Sequence, residues 1–210
     1  MINNRVRVKL CGMTRAEDVA HAAALGVDAI GMIFHPKSPR NVTISQASTM
    51  LQNAPPFLTV VAVLVDPSVA FVEKILQALP VSCLQFHGSE SASFCEQFYV
   101  PYIKAIAATS QDEIEQVAAM HAHATAILLD TPADGMRGGS GQTFDWSIIP
   151  QKINKPLVLA GGLHASNIND AISVCSPDAI DICSGVEASP GIKSLEKITQ
   201  LLSVLERREI

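Results

Sequence analysis

Strand-length apolar runs recur along the whole chain, and most are followed by a segment with helical spacing. Eight runs qualify as strands: Val6–Leu10, Ala29–Ile33, Leu58–Val65, Ser82–Phe86, Tyr102–Ala105, Ala126–Leu129, Leu157–Ala160 and Ala179–Ile182. Their starts lie 20 to 31 residues apart, the length of one strand, one helix and two short loops. Amphipathic spacing predicts helices over Ala16–Leu25, Val69–Leu79, Asp112–Ala122, Ser166–Val174 and Leu195–Arg207. Thr14-Arg15-Ala16-Glu17 reads as a capping box that starts the first helix just after Cys11-Gly12.

No Pro/Gly/Ser-rich linker or charge run interrupts this rhythm, so residues 1–210 read as one domain. Repeated βα units need right-handed crossovers, and eight of them predict a closed (β/α)8 TIM barrel, with an open doubly wound sheet as the alternative. In such a barrel the working residues stand at the carboxyl ends of the strands and in the loops that follow. The longest of these loops are His35–Thr43 and Thr131–Gln142.

Alternation along the first strand turns Val8 and Leu10 toward the helices and Lys9 and Cys11 toward the barrel axis. Cys11 then sits at the mouth, beside a helix start and one layer above a cation, both of which favour a thiolate. The competing reading makes it a small buried hydrophobe. On the sixth strand Ala126, Leu128 and Asp130 share the inward face, so a carboxyl ends an otherwise apolar strand. A thiolate and a carboxylic acid across one cavity can remove a proton at one atom and deliver one at another, as an isomerase requires. Alone, Asp130 also reads as a loop cap.

Gly161-Gly162 after the seventh strand, and Ser184-Gly185 after the eighth, allow close backbone approach and present amide donors to an oxyanion. The last two loops are where this barrel commonly binds phosphate, and Gly141 in Gly138-Gly139-Ser140-Gly141 adds to that rim. Arg40 follows the second strand, where its guanidinium suits a substrate carboxylate unless it faces solvent. His87 ends the fourth strand as a substrate-binding candidate. Asp181 is inward on the eighth strand, and either contacts substrate or pairs with Lys9.

Charge and composition narrow the function further. The chain carries 15 Lys+Arg against 20 Asp+Glu, a net charge of -5, which argues against a general nucleic-acid surface. An anionic ligand must therefore be held by a local site. The five cysteines are scattered without Cys-x-x-Cys spacing, which suggests neither a disulfide framework nor a zinc cluster, and a reducing cytoplasm is expected. No apolar run approaches the ~18 residues of a membrane span. A monomer or homodimer acting on a small phosphorylated molecule, away from membranes, is the expectation.

Lys9-Leu10-Cys11-Gly12-Met13-Thr14 resembles the amino-terminal signature of the phosphoribosylanthranilate isomerase family of tryptophan biosynthesis. Further blocks resemble that family in order: Gly26–Gly31, Ser38-Pro39-Arg40, Gln85-Phe86-His87-Gly88, Leu128-Leu129-Asp130, Gly138–Gly141 with Phe144-Asp145-Trp146, Leu159–Leu163 and Ser184–Glu187. Cys183, Ser140 and Ser194 depart from it where serine, threonine and aspartate are frequent. The resemblance implies an Amadori rearrangement of an aminoaldose to an aminoketose, with Asp130 as general acid, Cys11 as general base, and no redox cofactor or metal. Two other readings stay open. One is a metal-dependent sugar-phosphate epimerase using His35, His87 and Asp130; the other is a non-catalytic phosphate-binding module.

Overall fold

The computed structural model describes residues 5–132, 143–150 and 153–206. Its strands are β1 (Arg7–Cys11), β2 (Ala29–Ile33), β3 (Thr59–Leu64), β4 (Cys83–Phe86), β5 (Tyr102–Ala107), β6 (Ala126–Asp130), β7 (Leu157–Leu159) and β8 (Ala179–Ile182). Each pairs in parallel with the next, and β8 pairs back onto β1 to close the barrel. Closure removes both sheet edges and rules out the open doubly wound sheet.

The helices are α1 (Ala16–Ala24), α2 (Ile44–Leu51), α3 (Val69–Ala78), α4 (Ala92–Glu96), α5 (Gln111–Met120), α6 (Ile168–Cys175) and α7 (Leu195–Glu206). A short antiparallel pair, β9 (Glu187–Ser189) and β10 (Ile192–Lys193), lies between β8 and α7. Neither α2 nor α4 stands out from periodicity. Ser and Thr dilute the first, and the second has only five residues. Caps and packing supply what propensity does not. Gln46 N–H donates to Thr43 Oγ1 at 3.2 Å, and Thr43 N–H donates to Gln46 Oε1 at 2.8 Å, a full capping box. Beside α4, the rings of Phe94 and Phe98 lie 5.9 and 6.2 Å from Phe86.

The capping box expected at Thr14 is not formed. Arg15 is the N-cap of α1 without a side-chain cap bond, and Thr14 Oγ1 donates instead to the Gly191 carbonyl. The helix therefore begins at Ala16, and Gly12 and Met13 donate their amides to the Gly31 carbonyl at 2.9 and 3.0 Å.

Strand alternation sorts the core into two shells, as the sequence pattern predicts. Val8, Leu10, Ile30, Ile127 and Leu129 belong to the large layer between strands and helices. Ala105, Ala126, Leu128, Val158 and Ala160 fill part of the barrel interior, and Cys11 packs with Val61 and Val63 nearby. Burying each large aliphatic side chain contributes about 1.5–3 kcal/mol, so the outer shell stabilises the barrel and the mouth is left to polar groups. Among the described residues no helix is long and apolar enough to cross a membrane.

Candidate active site

The wall formed by β1 and β8 is set by register. Lys9 stands opposite Asp181, and Lys9 Nζ donates to Asp181 Oδ2 at 2.7 Å with both side chains buried. Burial works against the Lys9 charge, but Asp181 and then Cys11 outweigh it and raise the ammonium above its ordinary value. The ion-pair alternative for Asp181 is thus realised. Its Oδ1 is buried without a protein partner.

One layer higher, Cys11 is buried and packs against Cys183. Gly31 of β2 makes the room: a Cβ there would lie 2.8 Å from Cys11 Sγ and 3.1 Å from Lys9 Nζ. The ionisation differs from the expectation. The neighbouring Cys183 and burial push the Cys11 thiol up despite Lys9, while the neighbouring Cys11, Lys193 and Arg40 bring the Cys183 thiol down against burial.

Arg40 is brought beside both sulfurs by the β1–β2 pairing, but its fork is engaged within the protein. Nε and Nη2 donate to Glu187 Oε1 and Oε2 at 2.8 and 2.7 Å. Arg40 is buried rather than facing solvent. The Nε–Nη2 edge of its guanidinium is thus held by Glu187. Lys193 Nζ also reaches Glu187 Oε1, at 3.0 Å, so two buried cations share one carboxylate and leave the mouth locally positive. Sequence reasoning missed Glu187 and Lys193 as members of the site. A buried carboxylate is sustained only by such partners, and these are remote along the chain from Arg40.

Burial opposes the Glu187 charge, yet Arg40 and Lys193 hold this carboxyl below its ordinary value of 4.5. A lowered folded pKa gives stability that is present above the unfolded value and is lost as pH falls through the folded one. Glu187→Gln is therefore expected to cost about 3–5 kcal/mol near neutrality, where it strands two buried cations. Denaturant melts as a function of pH check this, with variant and wild type converging in acid.

On the opposite wall, Asp130 ends β6 and is buried. Thr131 N–H donates to its Oδ1 at 2.8 Å, and His87 Nε2 lies 3.3 Å from its Oδ2. Gln85 Nε2 donates to His87 Nδ1 at 3.3 Å, which leaves the ring proton on the nitrogen that faces Asp130. The alternative metal triad does not assemble. His87 and Asp130 meet, but among the described residues no three His, Cys, Asp or Glu side chains converge as metal ligands.

The two candidate phosphate loops abut, with Gly185 packed on the Leu163 carbonyl. Gly161 and Gly162 take φ of +82° and +62°, and Asn167 ties the turn by accepting from His164 N–H at 2.8 Å and donating to the Gly162 carbonyl at 3.0 Å. Ser184 opens a 3-10 turn after β8. Gly161, Gly162, Ser184 and Gly185 are half-buried, within reach of a ligand. Gly141 lies outside the described residues. Gly162→Val forces a branched residue into the left-handed region at a cost of about 1–3 kcal/mol. The expected result is weaker binding of phosphate-bearing ligands, read by titration with a product analogue.

The fold and these groups define a (β/α)8-barrel enzyme whose site lies at the carboxyl ends of the strands. The model of the N-(5'-phosphoribosyl)anthranilate (PRA) isomerase family matches residues 8–204, and the chain belongs to that family. It is 52% identical to N-(5'-phosphoribosyl)anthranilate isomerase of Legionella pneumophila strain Lens, over 96% of this chain and 98% of that protein. It superposes on the crystal structure of phosphoribosyl anthranilate isomerase from Thermus thermophilus with a TM-score of 0.87 and 31% identity, over 97% and 100% of the chains. A second solved isomerase, in complex with reduced 1-(o-carboxyphenylamino)-1-deoxyribulose 5-phosphate, matches with a TM-score of 0.82 and 30% identity, over 96% and 99%.

Proposed function

We propose that Asp130 and Cys11 carry out the family's reaction in this chain as general acid and general base. The reaction is the isomerisation of N-(5'-phosphoribosyl)anthranilate to 1-(o-carboxyphenylamino)-1-deoxyribulose 5-phosphate, a step of tryptophan biosynthesis. Asp130 gives a proton to the furanose ring oxygen, and the ring opens to a Schiff base. Cys11 then takes the proton from the second sugar carbon, and the enolamine formed tautomerises to the ketone. No electron leaves or enters the substrate, so the chemistry itself calls for no redox cofactor.

The observation that carries this reading is the meeting at one barrel mouth of an inward thiol ending β1 and an inward carboxyl ending β6. Around them the positive cluster of Arg40, Lys193 and Glu187 balances the anthranilate carboxylate. The backbone of Gly161, Gly162, Ser184 and Gly185 takes the phosphate. His87 orients Asp130 and faces the sugar, while Asp181 Oδ1 is placed to accept from a sugar hydroxyl. The setting is the cytoplasm, where the five free cysteines stay reduced. The test follows the fluorescence of freshly generated phosphoribosylanthranilate. Enzyme is expected to hasten its loss in proportion to concentration, and a rate equal to the spontaneous one overturns the reading.

A further inference from the structure

The mouth holds a second thiol that these roles leave unused. The β1–β8 register sets Lys9 opposite Asp181 and Leu10 opposite Ile182, and the residues that follow, Cys11 and Cys183, pack in one cluster. Both sulfurs lie in the layer above the Lys9–Asp181 pair and pack with Val61 and Val63, where each bears on the other's ionisation. The role below requires Cys11 to be the base and so rests on the proposed function. We propose that Cys183 is the positioning residue for that base: the two sulfurs hold one proton between them, and Cys183 accepts it from Cys11 when substrate is bound.

The protons balance over the cycle. The Cys11 S–H bond breaks as the Cys183 S–H bond forms, leaving Cys11 as the thiolate. The C–H bond at the second sugar carbon then breaks, its electron pair enters the enolamine double bond, and Cys11 S–H is restored. The pair now carries one proton more than at rest, and Asp130 carries one fewer. Exchange with water after product release resets both.

The surroundings favour one negative charge on the pair and disfavour two. Lys9 from β1 faces Cys11, with Asp181 of β8 neutralising much of its field. Arg40 from the loop after β2 and Lys193 from β10 face Cys183, and Glu187 of β9 opposes them. Lys193 Nζ also donates to the Cys183 carbonyl at 3.1 Å, which fixes the backbone that carries the sulfur. From β2, β3 and β4 come Ala29, Ile33, Val61 and Val63, with the Cys83 thiol. Two thiolates side by side would repel with little water to screen them, so the pair loses its first proton readily and its second with difficulty.

The other cysteines make this measurable. Burial pushes Cys83 and Cys175 to about 11 and Cys95 to about 12, so thiolate absorbance at lower pH reports the pair. The experiment titrates thiolate absorbance in wild type, Cys183→Ala and Cys183→Ser, against the double variant Cys11→Ala/Cys183→Ala to cancel tyrosine. It also records kcat/KM against pH for the same single variants. In Cys183→Ala the first ionisation and the acid limb of kcat/KM are expected to move up together by about one pH unit or more, the size of one hydrogen bond to a charged group. KM at high pH should stay near wild type. Cys183→Ser keeps a donor for the Cys11 thiolate and should recover part of the shift. It also serves alone if the alanine variant does not fold, as a smaller upward move against wild type.

An acid limb and a thiolate titration that stay in place in every Cys183 variant that folds would overturn the proposal. That result leaves Cys11 as base untouched. Undiminished turnover by Cys11→Ala is the separate outcome that removes the base, and the relay with it.

Discussion

Cys11→Ala is expected to lower kcat by about 10²–10⁴-fold while the barrel stays folded. The side chain ends β1 at the mouth, packed on Val61 and Val63, and alanine removes only its sulfur, so the substitution opens a cavity of one atom. Alanine keeps the β1 backbone, and the Lys9–Asp181 pair below is untouched. Cys11→Ser should be almost as slow, because a hydroxyl retains its proton far more tightly than a thiol near neutrality. Thermal melts and steady-state rates on both variants separate loss of chemistry from loss of fold. Activity near wild type in both would return Cys11 to the role of a small core residue.

The parts of this site that strand alternation controls were legible in the sequence. Period-two alternation puts Lys9 and Cys11 on the inside of β1, Leu128 and Asp130 on the inside of β6, and Asp181 on the inside of β8. Parallel pairing of first and last strands then makes the Lys9–Asp181 contact a geometric consequence, although 172 residues separate the two. Contacts made by loops were not legible, because no local period fixes where a loop side chain goes. Arg40, in the loop after β2, and Glu187, at the start of β9, are 147 residues apart, so nothing near Arg40 in sequence shows that one edge of its guanidinium is held by a carboxylate. Thr14 shows the same limit in miniature. Its spacing to Glu17 fits a capping box, but the Gly191 carbonyl competes for the hydroxyl and wins. Cys183 registered only as a departure from a family pattern, since its partner is identified by the β1–β8 register and not by any neighbour in sequence.

Asp130→Asn should reduce turnover by about 10²–10⁴-fold, comparable to the loss of Cys11, and leave affinity for a reduced product analogue nearly unchanged. The amide has the shape of the carboxyl, and its oxygen can still accept from Thr131 N–H at the position where Oδ1 sits 2.8 Å away. What it lacks is a proton to give to the furanose ring oxygen. The NH2 group then faces His87 Nε2, which has to become an acceptor, so the ring proton moves to Nδ1 and Gln85 turns its amide to offer Oε1. That rearrangement suits a Gln85 Oε1 that is otherwise buried without a partner, and it keeps the substitution from disturbing the fold. Single-turnover measurements with saturating enzyme are the decisive readout, since they report the chemical step apart from product release. A variant that binds the analogue as wild type does but fails to consume the aminoaldose places the lost step at ring opening. If instead it turns over at saturating substrate and has lost the analogue, Asp130 serves to bind the sugar, and the proton for ring opening must come from His87 or from water.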